Sequence, residues 1–92
     1  MNFENQEFSD LDRAENKAMK IINEMETGLI NSHHNGHDLG FFGLKIERYS
    51  GEDKYKYLIT GEKADKEAYF FAEKIIQRLP SRNIIIDEKI KT

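Results

Sequence analysis

The chain has no cysteine, no tryptophan and a single proline. Without cysteine it forms no disulfide, offers no thiolate to a metal and carries no cysteine nucleophile, which suits a reducing compartment. No apolar run approaches the ~18 residues of a membrane span. The opening Met1-Asn2-Phe3-Glu4-Asn5-Gln6-Glu7 shows neither the basic start nor the apolar stretch of a secretory leader, so the expected location is the cytoplasm. Serine is also scarce: Ser9, Ser32, Ser50 and Ser81 each fall at a predicted cap, loop or turn, where the backbone role suffices. Glycines at 40 and 43, and the stretch Thr60-Gly61-Glu62-Lys63, lack the spacing and the following Lys-Ser or Lys-Thr of a phosphate loop. The acid pairs Glu52-Asp53 and Asp87-Glu88 lie in a turn and a tail, where carboxylates stay solvated. The composition therefore predicts a non-enzymatic protein with no cofactor.

At 92 residues the chain is read as one domain spanning 1–92, with residues 1–8 as a mobile arm. A chain of this size buries roughly 60% of its surface, enough for a core of about fifteen to twenty side chains and too little for a deep pocket. Association with a partner or a second copy would enlarge that core. The net charge of −3 conceals a gradient. Seven acids face three bases in residues 1–31, five face four in 32–62, and five face seven in 63–92. Nucleic-acid binders draw most of their affinity from a basic face, so a charge balance of this kind disfavours that class. Richness in Lys, Ile, Asn and Glu suggests an AT-rich coding genome, hence a bacterial or phage source.

Hydrophobic periodicity predicts the elements. Leu11, Ala14, Ala18, Ile21, Ile22 and Met25 recur at spacings of three and four, predicting a helix from Ser9, as N-cap, to Glu26, ended by Gly28. Residues 31–38 turn to Asn, Ser, His and Gly and read as a loop. Leu39–Tyr49 and Lys54–Thr60 alternate as two strands around the turn Ser50-Gly51-Glu52-Asp53, giving a β-hairpin in which Phe42 belongs to the core. A second helix is expected over Ala64–Leu79, with Ala68, Phe71, Ala72, Ile75, Ile76 and Leu79 inward and Pro80 closing it. Ile84-Ile85-Ile86 follows as a short strand that is central or else covered, paired parallel to Lys54–Thr60 by a crossover through the second helix, before a charged tail from Asp87. The predicted fold is a two-layer α+β domain of order α-β-β-α-β with both helices on one sheet face. If the arm around Phe3 pairs as a strand, the alternative is the ferredoxin-like order βαββαβ.

Three candidate sites emerge. The hairpin tyrosines Tyr49, Tyr55 and Tyr57, with Phe41 and with Tyr69 or Phe70, exceed what one small core can bury. Exposed rings amid charge are typical interface anchors. Phe41, Arg48, Tyr49, Tyr55 and Tyr57 are accordingly predicted to contact a protein partner or a second copy. The leading functional expectation is a small protein-binding module: a regulator, adaptor or inhibitor. The first alternative is metal binding or sensing, with zinc or a similar divalent ion held by His33, His34, His37 and Asp38, because imidazole is the commonest metal ligand. Asn35 and Gly36 break any helix there, so the pattern is not the two-histidine helix of metalloproteases. The second alternative is nucleic-acid binding through Lys45, Arg48, Lys54, Lys56 and the hairpin tyrosines, which can stack on bases. Leu39-Gly40-Phe41-Phe42-Gly43-Leu44-Lys45-Ile46 does not supply the aromatic octapeptide of RNA-recognition motifs. Phe42 and Gly43 are transposed and Leu39 stands where a basic residue is needed.

A solvated loop without other ligands binds zinc weakly whatever its histidines do. Calorimetry should therefore show the same zinc heat for the native chain and for His34→Ala plus His37→Ala, and heat lost only in the variant would identify a metal site.

Overall fold

The computed structural model describes residues 3–29, 36–51 and 54–91. Helix α1 (Phe3–Glu26) is followed by strands β1 (His37–Asp38), β2 (Lys45–Arg48) and β3 (Tyr57–Thr60), helix α2 (Lys66–Arg78), strand β4 (Ile84–Ile86) and a final turn of 3₁₀ helix over Glu88–Ile90. This is the expected α+β plan with one further strand. The sheet order is β1-β2-β3-β4. Strands β1 to β3 are antiparallel, and β4 lies parallel to β3 with Tyr57 opposite Ile84 and Ile59 opposite Ile86. Consecutive antiparallel strands can be joined by turns, whereas the parallel pair needs the crossover that α2 supplies.

The predicted hairpin is present between β2 and β3, with Ile46 opposite Ile59 and Arg48 opposite Tyr57. Its strands are shorter than the alternation suggested, and their connection runs from Tyr49 to Lys56, closed by the Tyr49 N–H donating to the Lys56 carbonyl at 2.8 Å. Three further expectations are corrected. Helix α1 begins at Phe3, so Ser9 is an interior residue and no strand precedes the helix from Phe3 on, which removes the ferredoxin-like alternative. Residues 3–9 contain no glycine or proline and include Glu and Gln, both good helix formers, so nothing stops the helix at Ser9. Residues 37 and 38, expected in a loop, form an edge strand, while 39–44, expected in a strand, form its turn. Of the two readings of β4, central or covered, the second holds: the strand lies at the sheet edge, Ile84 is buried beneath the helix layer, and Ile85, on the other face, and Ile86 are half-buried. The tail from Asp87 is tied in, because its lone apolar residue, Ile90, is fully buried.

Strand parity places Ile46, Tyr57, Ile59, Ile84 and Ile86 on one sheet face. There they join Ala14, Ala18, Ile21, Ile22 and Met25 of α1 and Ala68, Ala72 and Ile75 of α2 in one cluster. The opposite face, with Lys45, Glu47, Leu58, Thr60 and Ile85, is half-buried throughout. Alanine at core-facing helix positions removes side-chain bulk, and α2 lies close to β4 and to α1.

The ends of the elements are specified locally. Gly28, at φ 78°, closes α1 with the Leu29 N–H donating to the Glu24 carbonyl at 2.9 Å and the Gly28 N–H to Met25, a paired arrangement that satisfies the last helix carbonyls. Asp65 is the N-cap of α2, its carboxylate accepting the Glu67 and Ala68 N–H groups. Asp87 clasps the C-terminus. It accepts the Thr60 hydroxyl at 2.6 Å and the Lys89 N–H at 3.0 Å, and both bonds hold its carboxyl below the usual range.

The Tyr57 hydroxyl donates to Glu26 Oε1 at 2.5 Å, linking the centre of the sheet to the end of α1. Burial first, then this bond, pushes the tyrosine up to about 12. The same bond, with Lys56, Arg82 and Arg48 nearby, holds Glu26 below its ordinary 4.5. A depressed carboxylate stabilises above its unfolded pKa and loses that effect as pH falls. A raised phenol stabilises below its unfolded pKa and loses it as pH rises through the folded one. Tyr57→Phe should therefore be destabilising by urea unfolding between about pH 5 and pH 10, with the gap to the native chain narrowing as pH falls below the ordinary carboxylate range and again as it rises from about 10 towards 12.

Candidate functional site

The connection between β1 and β2 is built on backbone geometry that few residues tolerate. Leu39 N–H donates to the Leu44 carbonyl and Leu44 N–H to the Phe41 carbonyl, both at 2.9 Å. Inside that bracket Phe42 has φ 53° and Gly43 φ 65°, the two successive left-handed residues of a type I′ turn. Asn, Asp or Gly normally precedes the glycine of such a turn, and a bulky aromatic there is strained. Gly40, also left-handed at φ 86°, and Asp38, whose carboxylate accepts the Gly40 N–H at 2.6 Å, complete the bend.

This bend aims Phe42 away from the strand core where alternation had placed it. The ring is half exposed and its centroid lies 5.0 Å from that of Phe71, which also meets Phe41 at 5.6 Å. Phe70, the next residue on α2, is 59% exposed, with the Lys74 ammonium 5.0 Å over its ring. Together with Leu11, Gln77 and Arg78 these residues line an open groove of about 1120 Å³ between the start of α2, the bend and α1. Arg78 is anchored at the groove's edge by Asp12 at 2.5 Å and Glu15 at 3.2 Å. Asp10, Lys66, Glu67 and Lys74 also line the groove and make no ion pair among the described residues.

The residues singled out from sequence are dispersed. Tyr57 is 1% exposed and belongs to the core, so its ring is not presented to a partner. Its parity, shared with Ile59, is the reason. Phe41 is half-buried against the core and reaches the groove only through Phe71. Arg48 is exposed at the end of β2, while Tyr49 and Tyr55 are half-buried in the following connection, where the Lys54 ammonium lies 5.4 Å from the Tyr55 ring. Arg48, Lys56 and Arg82 all act on Glu26 where β2 ends and β3 and β4 begin, a local excess of positive charge. His33 and His34 lie outside the described residues. His37 and Asp38 are consecutive on β1, so their side chains leave opposite faces of the strand, and Asp38 is engaged with the bend.

The sequence places surplus rings on the hairpin; among the described residues the exposed ones are Phe42 and Phe70. A signal existed for each. The core positions of α2 are Ala68, Ala72, Ile75 and Leu79, so residue 70 points away from them by helical spacing. Phe42 followed by Gly43, three residues after Gly40, marks a turn better than a strand interior.

The architecture defines a small two-layer α+β domain that presents an aromatic groove beside its second helix. Compared with protein-family models, curated proteins and solved structures, the chain matches none.

Replacing Phe42 removes its ring contact whichever small residue is chosen, but Asn tolerates the left-handed turn position and Ala does not. Phe42→Asn should be more stable than Phe42→Ala by about 1 kcal/mol in urea unfolding. Equal stabilities would show that residue 42 is not held at positive φ.

Proposed function

We propose that the protein is a non-enzymatic binding module that acts by holding another polypeptide against the groove formed by Phe42, Phe70 and Phe71. The supporting observation is the pair of half-exposed phenylalanines bracketing Phe71, one of them on a strained turn. Large apolar side chains left in water at adjoining positions raise the free energy of the isolated chain and are relieved by a partner. Aromatic rings ringed by charged residues are also the side chains that dominate measured interface energies. Backbone strain concentrates at binding sites, where the protein tolerates it for the sake of where it directs a side chain. The groove is open to solvent, which suits a protein surface or helix better than a small molecule that must be largely enclosed. A regulator, adaptor or inhibitor of another protein fits this reading.

Capture from a lysate with the tagged chain, before and after nuclease treatment, tests it. The native chain should retain a stoichiometric protein that survives nuclease and is lost with Phe70→Ser, a surface change that leaves the buried face of α2 intact. Retention of nuclease-sensitive material alone would instead direct attention to the Arg48, Lys56 and Arg82 cluster, since phosphate contacts to basic side chains drive such binding.

A further inference from the structure

We infer that the groove face is a two-fold interface between two copies of this chain, formed by antiparallel contact of α2 with α2 across Phe70. The inference rests on the reading of the groove as a protein-binding surface and names its occupant.

Helix α2 has two usable stripes. Ala68, Ala72 and Ile75 are buried against the sheet, while Glu67, Phe70, Lys74 and Gln77 follow one another at spacings of three and four along the groove side. A two-fold interface must be complementary to itself, so each charged residue on it needs an opposite charge at the position the symmetry axis maps onto it. An axis passing midway between Phe70 and Phe71 does this. Glu67 and Lys74 are equidistant from that point, two helical turns apart, and an antiparallel copy sets each Glu67 beside the other copy's Lys74. The two Phe70 rings, nearest the axis, then cover one another, and the Phe42 and Phe71 rings extend the apolar centre on either side.

The remaining rim charges add no net charge of either sign. Arg78 is already neutralised by Asp12 and Glu15 of its own chain. The other groove charges are Lys66 and Lys74 against Asp10 and Glu67, two of each sign with no ion-pair partner among the described residues. A balanced rim around an aromatic centre suits a copy of itself. A partner recognised mainly through charge would favour a rim of one sign, because complementarity between unlike surfaces allows an imbalance on each side.

A charge swap tests this with the full chain. Sedimentation velocity at about 100 µM, where a micromolar dimer is nearly saturated, should show the native chain as a dimer. Glu67→Lys alone and Lys74→Glu alone each place like charges at both crossings, and each should weaken the dimer by about tenfold or more. An equimolar mixture of the two variants restores opposite charges at both crossings and should return a dimer, which native mass spectrometry should show as the mixed species. Both substitutions lie on the solvent side of α2, and a far-UV circular dichroism spectrum matching that of the native chain establishes for each variant that the fold is retained, since its thermal midpoint falls with the loss of the dimer. A native chain that stays monomeric, or a dimer indifferent to both substitutions, overturns the inference. If that monomer still captures a nuclease-resistant protein through Phe70, the binding reading stands and only the occupant is wrong.

Discussion

Tyr57 and Ile59 of β3 fill the space under both helices, and their strand bonds to a neighbour on each side, antiparallel to β2 and parallel to β4. Each remaining element reaches its position through that strand. Tyr57 ties down the end of α1 through Glu26, Thr60 holds the C-terminal turn through Asp87, and the parallel pairing obliges the chain to cross through α2. Because strand side chains alternate strictly, a slip of one residue in β3 would turn Leu58 and Thr60 to the helices and the buried pair to the other face. The fold has one solution for that strand, and the register of β2 and β4 follows from it.

The consequence for function is a division of α2. Its inner side is committed to the sheet through small residues, which brings the helix close. That closeness carries Phe71 into contact with the β1–β2 bend and leaves Phe70 at the surface beside it. The aromatic groove is thus a by-product of how a short crossover helix must sit. Phe42 completes it only because the bend takes up left-handed geometry at a residue that does not favour it. The shifted groups elsewhere, Tyr57, Glu26, Asp87 and Lys91, have structural explanations in the bonds they make. The chemical interest of the surface lies in its exposed apolar side chains and the charges around them.

The sheet end marked by Arg48, Lys56 and Arg82 differs in character from the groove. There, positive charge gathers around a single carboxylate that is itself bonded to the core. The hairpin tyrosines do not form an open stacking platform beside it, since Tyr57 is buried and Tyr49 and Tyr55 are half-buried. Aromatic and basic residues close together in sequence are separated in space by the alternation of β3 and by the length of the connection before it.

Much of the architecture was legible in the residues because it depends on short-range periodicity. The stripes of both helices, the Gly28 stop, Pro80 after α2 and the alternation of the two hairpin strands follow from spacings of three, four and two that local geometry alone enforces. The edge strand at His37–Asp38 was not legible, since two residues carry no period and become a strand only by having β2 to bond to. The start of α1 was missed for a related reason: a cap residue is a weak signal when the preceding residues are also compatible with helix. Which aromatic side chains meet water was decided by tertiary structure. Phe42 is exposed because a turn of positive φ replaces the strand that its neighbours suggested, and Tyr57 is buried because helix α1 ends above it. By itself the sequence determined a two-layer α+β domain with an excess of aromatic residues. Only the packed chain decided that the excess collects at Phe42, Phe70 and Phe71, because a surface groove depends on distances between elements that no local pattern encodes.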